Sequence, residues 1–574
     1  MRGRRWFTAL VAPVAVLALA TGACTHEQTT AVKVDNPGDC TPVDVAAPSE
    51  TADLLGAIAH DFNASPAAKV PRGTCVFVRV ETVDANSALG ELVAGWPDVD
   101  RLGPAPAVWA PPSGAWPALL GARLAAAHQA PLPTSAVSFA RSPMVVAMPA
   151  PMARALQARG RTVGWSDLAR LAAVPAGWGA ENHRAWGRFR FGFANPTWST
   201  PALDATIAWT ASGAFSPAAR ALQGSVVYYA DTDQRYLDTW TRLAAPNPVD
   251  AFRFASAVVT DERSVAVYNQ SRPKLPLVAI YPHDGAVSSD YPLVTLAAPW
   301  TTPAARAGAR AFSLFARSDA SQRAVANTGL RPVRGPANAT LLSARNGVAV
   351  TPPNQVPAGA VAPALVQRAV AAWQEERKHA RVLVVFDESD SMGDLVDQTQ
   401  PDGPTKIELA RPALARALPE LSPGDQIELR VFTTKLPAHP SPNWAVVVPM
   451  GRYDARRVGL QSSVRALQPR QGSPLYAAIR DGYGAIAHRA DPRTIDAVVI
   501  LTDGYNEDDH YNKLAALLST ISTNHDVHVF TIPFGDLADY TTLKTIAETT
   551  NGQLYDARNV YDVGLAFREA LASF

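Results

Sequence analysis

The stretch Arg381-Val382-Leu383-Val384-Val385-Phe386-Asp387-Glu388-Ser389-Asp390-Ser391-Met392-Gly393 constrains this chain more than any other. Val382 to Phe386 is an unbroken, Val-rich apolar run, the signature of a strand buried on both faces of a parallel sheet. The run stops at a carboxylate followed by hydroxyls at alternate positions, Asp387-x-Ser389-x-Ser391. In an open α/β sheet, ligands bind beyond the carboxyl ends of the strands, near the point where strand order reverses. A carboxylate and two hydroxyls are hard oxygen donors that suit Mg²⁺, Mn²⁺ or Ca²⁺ and not a thiophilic metal. So short a pattern also arises by chance on turns, so its weight comes from two later stretches.

Asp496-Ala497-Val498-Val499-Ile500-Leu501-Thr502-Asp503-Gly504 reads as a second buried strand ending in a carboxylate. Gln471-Gly472-Ser473-Pro474-Leu475-Tyr476 puts a hydroxyl just ahead of a helix, with Pro474 at the favoured first helical position. Together the three stretches resemble the metal-ion-dependent adhesion site of von Willebrand factor type A domains, whose pattern is D-x-S-x-S, then a Thr, then an Asp at a strand end. Asp387, Ser389, Ser391 and Asp503 match it residue by residue; Ser473 stands where the family usually has Thr and keeps the hydroxyl. The resemblance covers the chain from Arg381 to its C-terminus. It implies a doubly wound, Rossmann-like α/β domain. Ser389, Ser391 and Ser473 would hold the cation directly, with Asp387 and Asp503 contacting it directly or through water. It also implies an open coordination position filled by an acidic side chain of a protein partner. Two other readings of these residues fail. A phosphatase of the haloacid dehalogenase type wants a second Asp where this chain has Ser389. An EF-hand loop wants Gly at its sixth position and Glu at its twelfth, and Met392 and Gln398 stand there.

At 574 residues the chain is long for one domain. With 47% hydrophobic and 18% charged residues it can bury a core. A net charge of +1, without a basic patch or a nucleic-acid motif, argues against nucleic acid as a partner. The Arg-rich start, the apolar run Trp6–Ala20 and the small residues before Cys24 read as a secretory signal, the run being short for a membrane span. Residues 1–23 resemble a bacterial lipoprotein signal, which implies that Cys24 is lipidated and that the protein is exported and anchored on the outer face of the cytoplasmic membrane. Thr21 stands where that motif prefers Leu, and an ordinary signal peptide is the alternative. The chain has 3 cysteines. If Cys24 carries lipid, Cys40 and Cys75 can pair in an oxidising compartment. The bond would pin the N-terminal extension to the strand around Thr74–Val80 and contribute roughly 3 kcal/mol. Two buried, unpaired thiols are the alternative.

Residues 24–43 read as a tether, the polar, Pro-containing character running on to Ala47. From Ser49 helix and strand signals alternate. Ala52–Phe62 and Ser87–Val93 read as helices; Cys75–Val80, Ala105–Trp109, Arg188–Pro196, Ala257–Glu262 and Leu275–Tyr281 read as strands. Ser138–Met148 reads as a strand crossing into a second lobe. Repeated βα units imply a mostly parallel sheet with helices on both faces. This order, with Val108-Trp109-Ala110-Pro111, Ser142-Pro143, Asn195-Pro196, Tyr291-Pro292-Leu293 and Gly329-Leu330-Arg331-Pro332, resembles a periplasmic-type extracellular solute-binding protein over residues 44–335. The resemblance implies two α/β lobes joined by hinge strands, with ligand in the cleft and closure on binding. Ser49, Ser87, Ser113 and Thr200 each sit where the chain enters an expected helix, whose free N–H groups suit an oxyanion. Ser and Thr are equally the commonest N-caps.

Residues 336–378 read as an Ala/Pro-rich linker followed by an amphipathic helix, and residues 379–574 as the type A domain. Glu507-Asp508-Asp509-His510 follows the Asp503 strand end and reads as acids in the first turn of the next helix, the alternative being that it shapes the rim of the metal site or binds a second cation. No phosphate-binding loop, H-E-x-x-H, G-x-S-x-G or nucleophile with a base is present, so enzyme activity is not expected. The combined expectation is a surface-anchored binding lipoprotein. Its solute-binding-like module would lie next to the membrane and its type A module would project beyond, engaging a protein partner through Mg²⁺, Mn²⁺ or Ca²⁺. Two alternatives remain open. The chain could be the receptor of an ATP-driven importer with a small solute or oxyanion in its cleft, or a scaffold using neither site.

Overall fold

The computed structural model describes residues 37–574 apart from 71, 72, 133, 435–442, 509 and 525. The signal segment and Cys24 lie outside the described residues. Three sheets organise the chain. In the first lobe, Thr41–Ala47 pairs in parallel with Thr74–Thr82 and with Val108–Trp109, and Pro292–Leu296 and Thr134–Ser138 close one side antiparallel. Thr41–Ala47 is thus a strand at the heart of the sheet and not the end of a tether. Val43, Val45 and Ala47 are buried on one face and Asp44 and Ala46 on the other, but Pro42 and Asp44 break the apolar run so that the segment reads as irregular. The Cys40–Cys75 disulfide joins the starts of the two parallel strands, one residue before the Thr41↔Val76 pair.

Two segments cross to the second lobe. Ala140–Pro149 carries the chain over directly after Thr134–Ser138 and becomes the centre of the second sheet, pairing with Ala257–Asp261, Val287–Ser289 and Leu277–Ile280. Ser289-Asp290-Tyr291 brings it back into Pro292–Leu296. This is the two-lobed, hinge-stranded architecture that the sequence led us to expect.

The segment read as a linker is packed along much of its length. Gln355 bonds both backbone groups of Met144 through its side chain, and Val356–Pro357 pairs in parallel with Val287–Ser289. Gly359 lies against Gly114 so closely that a Cβ on Gly114 would collide with its Cα. The helix Pro363–Glu376 then lies on the first lobe's helix Ala115–Ala126 and on the second lobe's helix Thr200–Trp209 together. Its Val366 and Ala369 are buried in one cluster with Trp116 and Leu120 of the first lobe and Leu203 and Ile207 of the second.

In the C-terminal domain the strand order is Trp444–Arg452, Gln426–Phe432, Ala380–Asp387, Ile495–Thr502, Val527–Pro533, parallel except for the first pair. Val382, Val384 and Phe386 pack toward the helices Lys406–Ala417 and Val563–Ala572; Leu383 and Val385 pack toward Leu475–Ala487 and Leu514–Ile521. Both faces are covered, which is why the strand is apolar without alternation. The domain does not project freely. The Tyr229 N–H donates to Ser573 O at 2.9 Å, the Asn195 amide to Ala572 O at 3.0 Å and the Gln553 amide to the Tyr228 hydroxyl at 3.0 Å. Tyr228, Tyr229, Trp373, Phe530, Tyr555 and Phe574 share one buried core with the second lobe. Arg377, buried where the linker helix meets the strand Ala380–Asp387, donates to Asp425 and to Phe574 O. Burial would raise the Asp425 carboxyl, but the Arg377 guanidinium wins and holds it below the usual carboxylate range.

Arg377→Ala leaves Asp425 buried and without its guanidinium. Equilibrium denaturation of the full chain should register a loss of roughly 3–5 kcal/mol. A loss below about 1 kcal/mol, as for an exposed pair, would show that the pair is not a keystone of this junction.

Candidate functional site

Strand order reverses at Ala380–Asp387: its successor in the chain, Gln426–Phe432, lies on one side and Ile495–Thr502 on the other. The crevice at that reversal collects the expected donors. Phe386 and Leu501 are paired, so Asp387 and Thr502 end adjacent strands side by side, and the Thr502 hydroxyl donates to Asp387 at 2.6 Å. Asp387 also accepts the Ser389 N–H at 2.7 Å, which turns the chain so that Ser389 and Ser391 point back to Asp503. The Ser391 hydroxyl donates to Asp503 at 2.8 Å, Ser389 lies 3.4 Å from the same oxygen, and the two serine hydroxyls are 3.0 Å apart. Asp387 and Asp503 are both buried. Burial first, and the Asp503 carboxylate next, push the Asp387 carboxyl up to about 7.

Ser473 arrives on a loop stitched to both neighbours. The N–H groups of Gln468 and Arg470 donate to the Glu388 carboxylate and carbonyl, the first at 2.9 Å. On the other side Ser473 and Glu507 exchange bonds: the Ser473 N–H donates to the Glu507 carboxylate at 3.2 Å, and the Glu507 N–H to Ser473 O at 2.8 Å. Gly472 makes the turn with a positive φ of 76°. The Ser473 hydroxyl is buried and has no hydrogen-bond partner among the described residues. A buried hydroxyl left unpaired is costly, and a hard cation beside it resolves that cost. The donor set therefore fits Mg²⁺, Mn²⁺ or Ca²⁺: hydroxyls dominate it, and among the described residues no cluster of three or more His, Cys, Asp or Glu offers a different metal site.

Sequence reasoning missed two members of this site, Thr502 and Lys406, and for a third, Glu507, favoured a helix start over the rim of the site. Thr502 reads only as the last apolar-run residue. Glu507 reads as a helix-start acid, but the next helix begins at Leu514, so Glu507 and Asp508 belong to the loop that holds Ser473. Lys406 donates to the second Asp503 oxygen at 2.7 Å from a buried position. Its lone signal is a lysine directly after Thr405, at the start of an apolar-periodic helix.

The four hydroxyl residues expected to ring the interlobe cleft are placed differently. Ser49 is exposed, and Ser87 lies inside the helix Ala85–Ala94, whose N-cap is Asp84. Ser113 and Thr200 do face the opposite lobe, but each is engaged by protein: Ser113 donates to Asp204 at 3.0 Å, and Thr200 accepts from the Trp116 indole at 2.9 Å. Asp290 accepts the Gly114 N–H at 2.6 Å, so a side-chain carboxylate fills the helix N-terminus where an oxyanion was expected. Asp204 is fully buried between Ser113 and Ser289, and burial pushes its carboxyl up to about 8.

Residues 43–331 match the family described as bacterial extracellular solute-binding protein, and residues 380–556 match the von Willebrand factor type A domain. Similar solved structures include a von Willebrand factor type A protein from Catenulispora acidiphila, 22% identical over 34% of this chain and 42% of its own, with a TM-score of 0.29. Proximal thread matrix protein 1 from the mussel byssus, in a form with a zinc-occupied MIDAS motif, is 12% identical over 34% and 47%, with a TM-score of 0.27. A periplasmic thiamin binding protein is 14% identical over 59% and 96%, with a TM-score of 0.39. The chain thus spans less than half the length of these two type A structures. No curated protein matches it.

The Asp204 carboxyl gives the cleft a pH signature. Its pKa in the fold, about 8, lies above the ordinary 3.8. Its contribution to stability is therefore complete at low pH and is lost as pH rises from about 4 through 8, by up to roughly 1.4 kcal/mol per unit. Asp204→Asn keeps an acceptor for Ser113 and offers a donor to Ser289 without a charge. Unfolding measured from pH 5 to 9 should show a flatter pH dependence for the variant and greater stability than wild type at pH 9. Parallel profiles would contradict this.

Proposed function

Because the chain belongs to the bacterial extracellular solute-binding protein family and carries a C-terminal von Willebrand factor type A domain, we propose that it is an exported, non-catalytic binding protein that engages a protein partner through a divalent cation. The observation that carries this reading is the orphaned, buried Ser473 hydroxyl, on a loop bonded to Glu388, the residue between Asp387 and Ser389. Ser389, Ser391 and Ser473 would hold the cation, with Asp387 and Asp503 balancing its charge directly or through water. When bound, the cation supplies a Lewis-acidic position for an acidic side chain of the partner. The proposal includes attachment to the outer face of the cytoplasmic membrane through Cys24, which rests on the sequence pattern of the first 24 residues. Among the described residues no helix is long and apolar enough to cross a membrane.

The solute-binding module is read as a platform for this site. A receptor that exchanged solute by opening its hinge would have to part Ser113 from Asp204 and peel the helix Pro363–Glu376 from both lobes. Those contacts favour the platform over the importer receptor.

Asp387→Asn tests the metal reading. The amide still accepts from the Ser389 N–H and can donate to Thr502, so the metal-free fold should melt no lower than wild type, and relief from the Asp503 charge should raise it slightly. Melting of the full chain should rise with Mg²⁺ or Mn²⁺ in the wild type, by roughly 3 kcal/mol of stability at a hundredfold excess over the dissociation constant. It should not rise in the variant. If the wild type neither binds nor is stabilised by any divalent cation at millimolar concentration, the reading fails.

A further inference from the structure

Lys406 is in an unusual place for an ammonium group. It is the first residue of the helix Lys406–Ala417, whose N-cap Thr405 is closed by Glu408 in a capping box. The start of a helix disfavours cations, and burial strips the group of hydration. The side chain is nevertheless only 11% exposed, and its ammonium lies 2.7 Å from Asp503. Asp503 is fully committed as a result: one oxygen takes the serine hydroxyls and the other takes Lys406. On its other side Lys406 borders a cavity of about 820 Å³. That cavity is lined by four carboxylates, Asp394, Asp536, Asp556 and Asp562, against one further cation, Arg558, which is itself paired with Asp556 at 2.6 Å. Lys406 therefore stands in the wall between the candidate cation ligands and an acidic chamber.

We propose that Lys406 is an intramolecular competitor for the cation: its ammonium neutralises Asp503 while no divalent ion is bound, and moves into the acidic chamber when one binds. The inference rests on the metal reading above and adds to it. A monovalent and a divalent cation sharing one carboxylate repel each other, so the site takes metal only by displacing its own lysine. The chamber supplies the displaced ammonium with new partners, and the long, flexible lysine stem allows the move. The observed affinity is the intrinsic affinity reduced by the fraction of molecules in which Asp503 is free. The lysine thus sets the concentration of divalent cation at which the partner site forms.

Two measurements on the full chain test this. Calorimetric titration with Mn²⁺ should give a dissociation constant at least tenfold lower for Lys406→Met than for wild type, with Lys406→Arg no tighter than wild type. Acetylation of wild-type protein by a lysine-directed reagent, read by mass spectrometry, should show Lys406 protected in chelator and labelled several-fold faster with saturating Mg²⁺. This second measurement needs no variant to fold. Equal or weaker Mn²⁺ binding by Lys406→Met, or labelling unchanged by Mg²⁺ in a wild type that binds the ion, overturns the competitor while leaving the metal site standing. If neither wild type nor Lys406→Met binds Mn²⁺, the metal reading and this inference fall together.

Discussion

Two carboxylates buried side by side at the ends of parallel strands are an electrostatic problem that the whole C-terminal domain is built to solve. Asp387 ends its strand and Asp503 directly follows the end of the next, and the hydrogen-bonded spacing of the sheet holds them near each other. Neither can retreat into water. Their partners are recruited from across the domain: Thr502 from the neighbouring strand, Ser389 and Ser391 from the turn, and Lys406 from a helix start far from Asp503 in sequence. One donor remains without a role, the Ser473 hydroxyl, brought in by a loop fastened to Glu388 and Glu507. A site that is short of positive charge and long on hydroxyls is what a hard divalent cation completes.

The same domain depends on the module before it. The linker helix Pro363–Glu376 touches both lobes and hands the chain through Arg377 directly into the Asp387 strand. The second lobe shares its aromatic core with the C-terminal domain. Hinge motion in the solute-binding module would therefore strain the strap, and the strap ends at the strand that carries the candidate metal site. Gly359 pressed on Gly114, and Asp290 bonded to the Gly114 N–H, close the region where a solute's anionic group would approach the helix.

Much of this was legible in the sequence where physics leaves a periodic mark. Strands buried on both faces, such as Val382–Phe386 and Ala497–Leu501, announce themselves by length and Val content, and D-x-S-x-S at the end of one of them fixed where to look. Thr41–Ala47 left a weaker mark, since Pro42 and Asp44 interrupt the short run of apolar residues that it buries. Ser113 and Thr200 were correctly placed near helix starts, but a hydroxyl there serves a ligand, a cap or a neighbouring lobe equally well. Here Asp204 and Trp116 engage them. Lys406 could not be assigned to the candidate metal site, and Glu507 only as an alternative to a helix start, because their roles depend on contacts between segments distant in the chain. An Ala/Pro-rich stretch reads as a linker by composition, whereas Val356, Gly359 and Val366 are placed by the surfaces of two lobes.

The most direct measurement is anomalous diffraction from crystals of the full chain soaked in Mn²⁺, with chelator-treated crystals as the control. The metal reading requires a manganese peak bounded by Ser389, Ser391, Ser473 and Asp503, with the Ser473 hydroxyl turned toward it. No peak at saturating Mn²⁺, with the Ser473 hydroxyl still unpartnered and the Lys406–Asp503 pair intact, would contradict it.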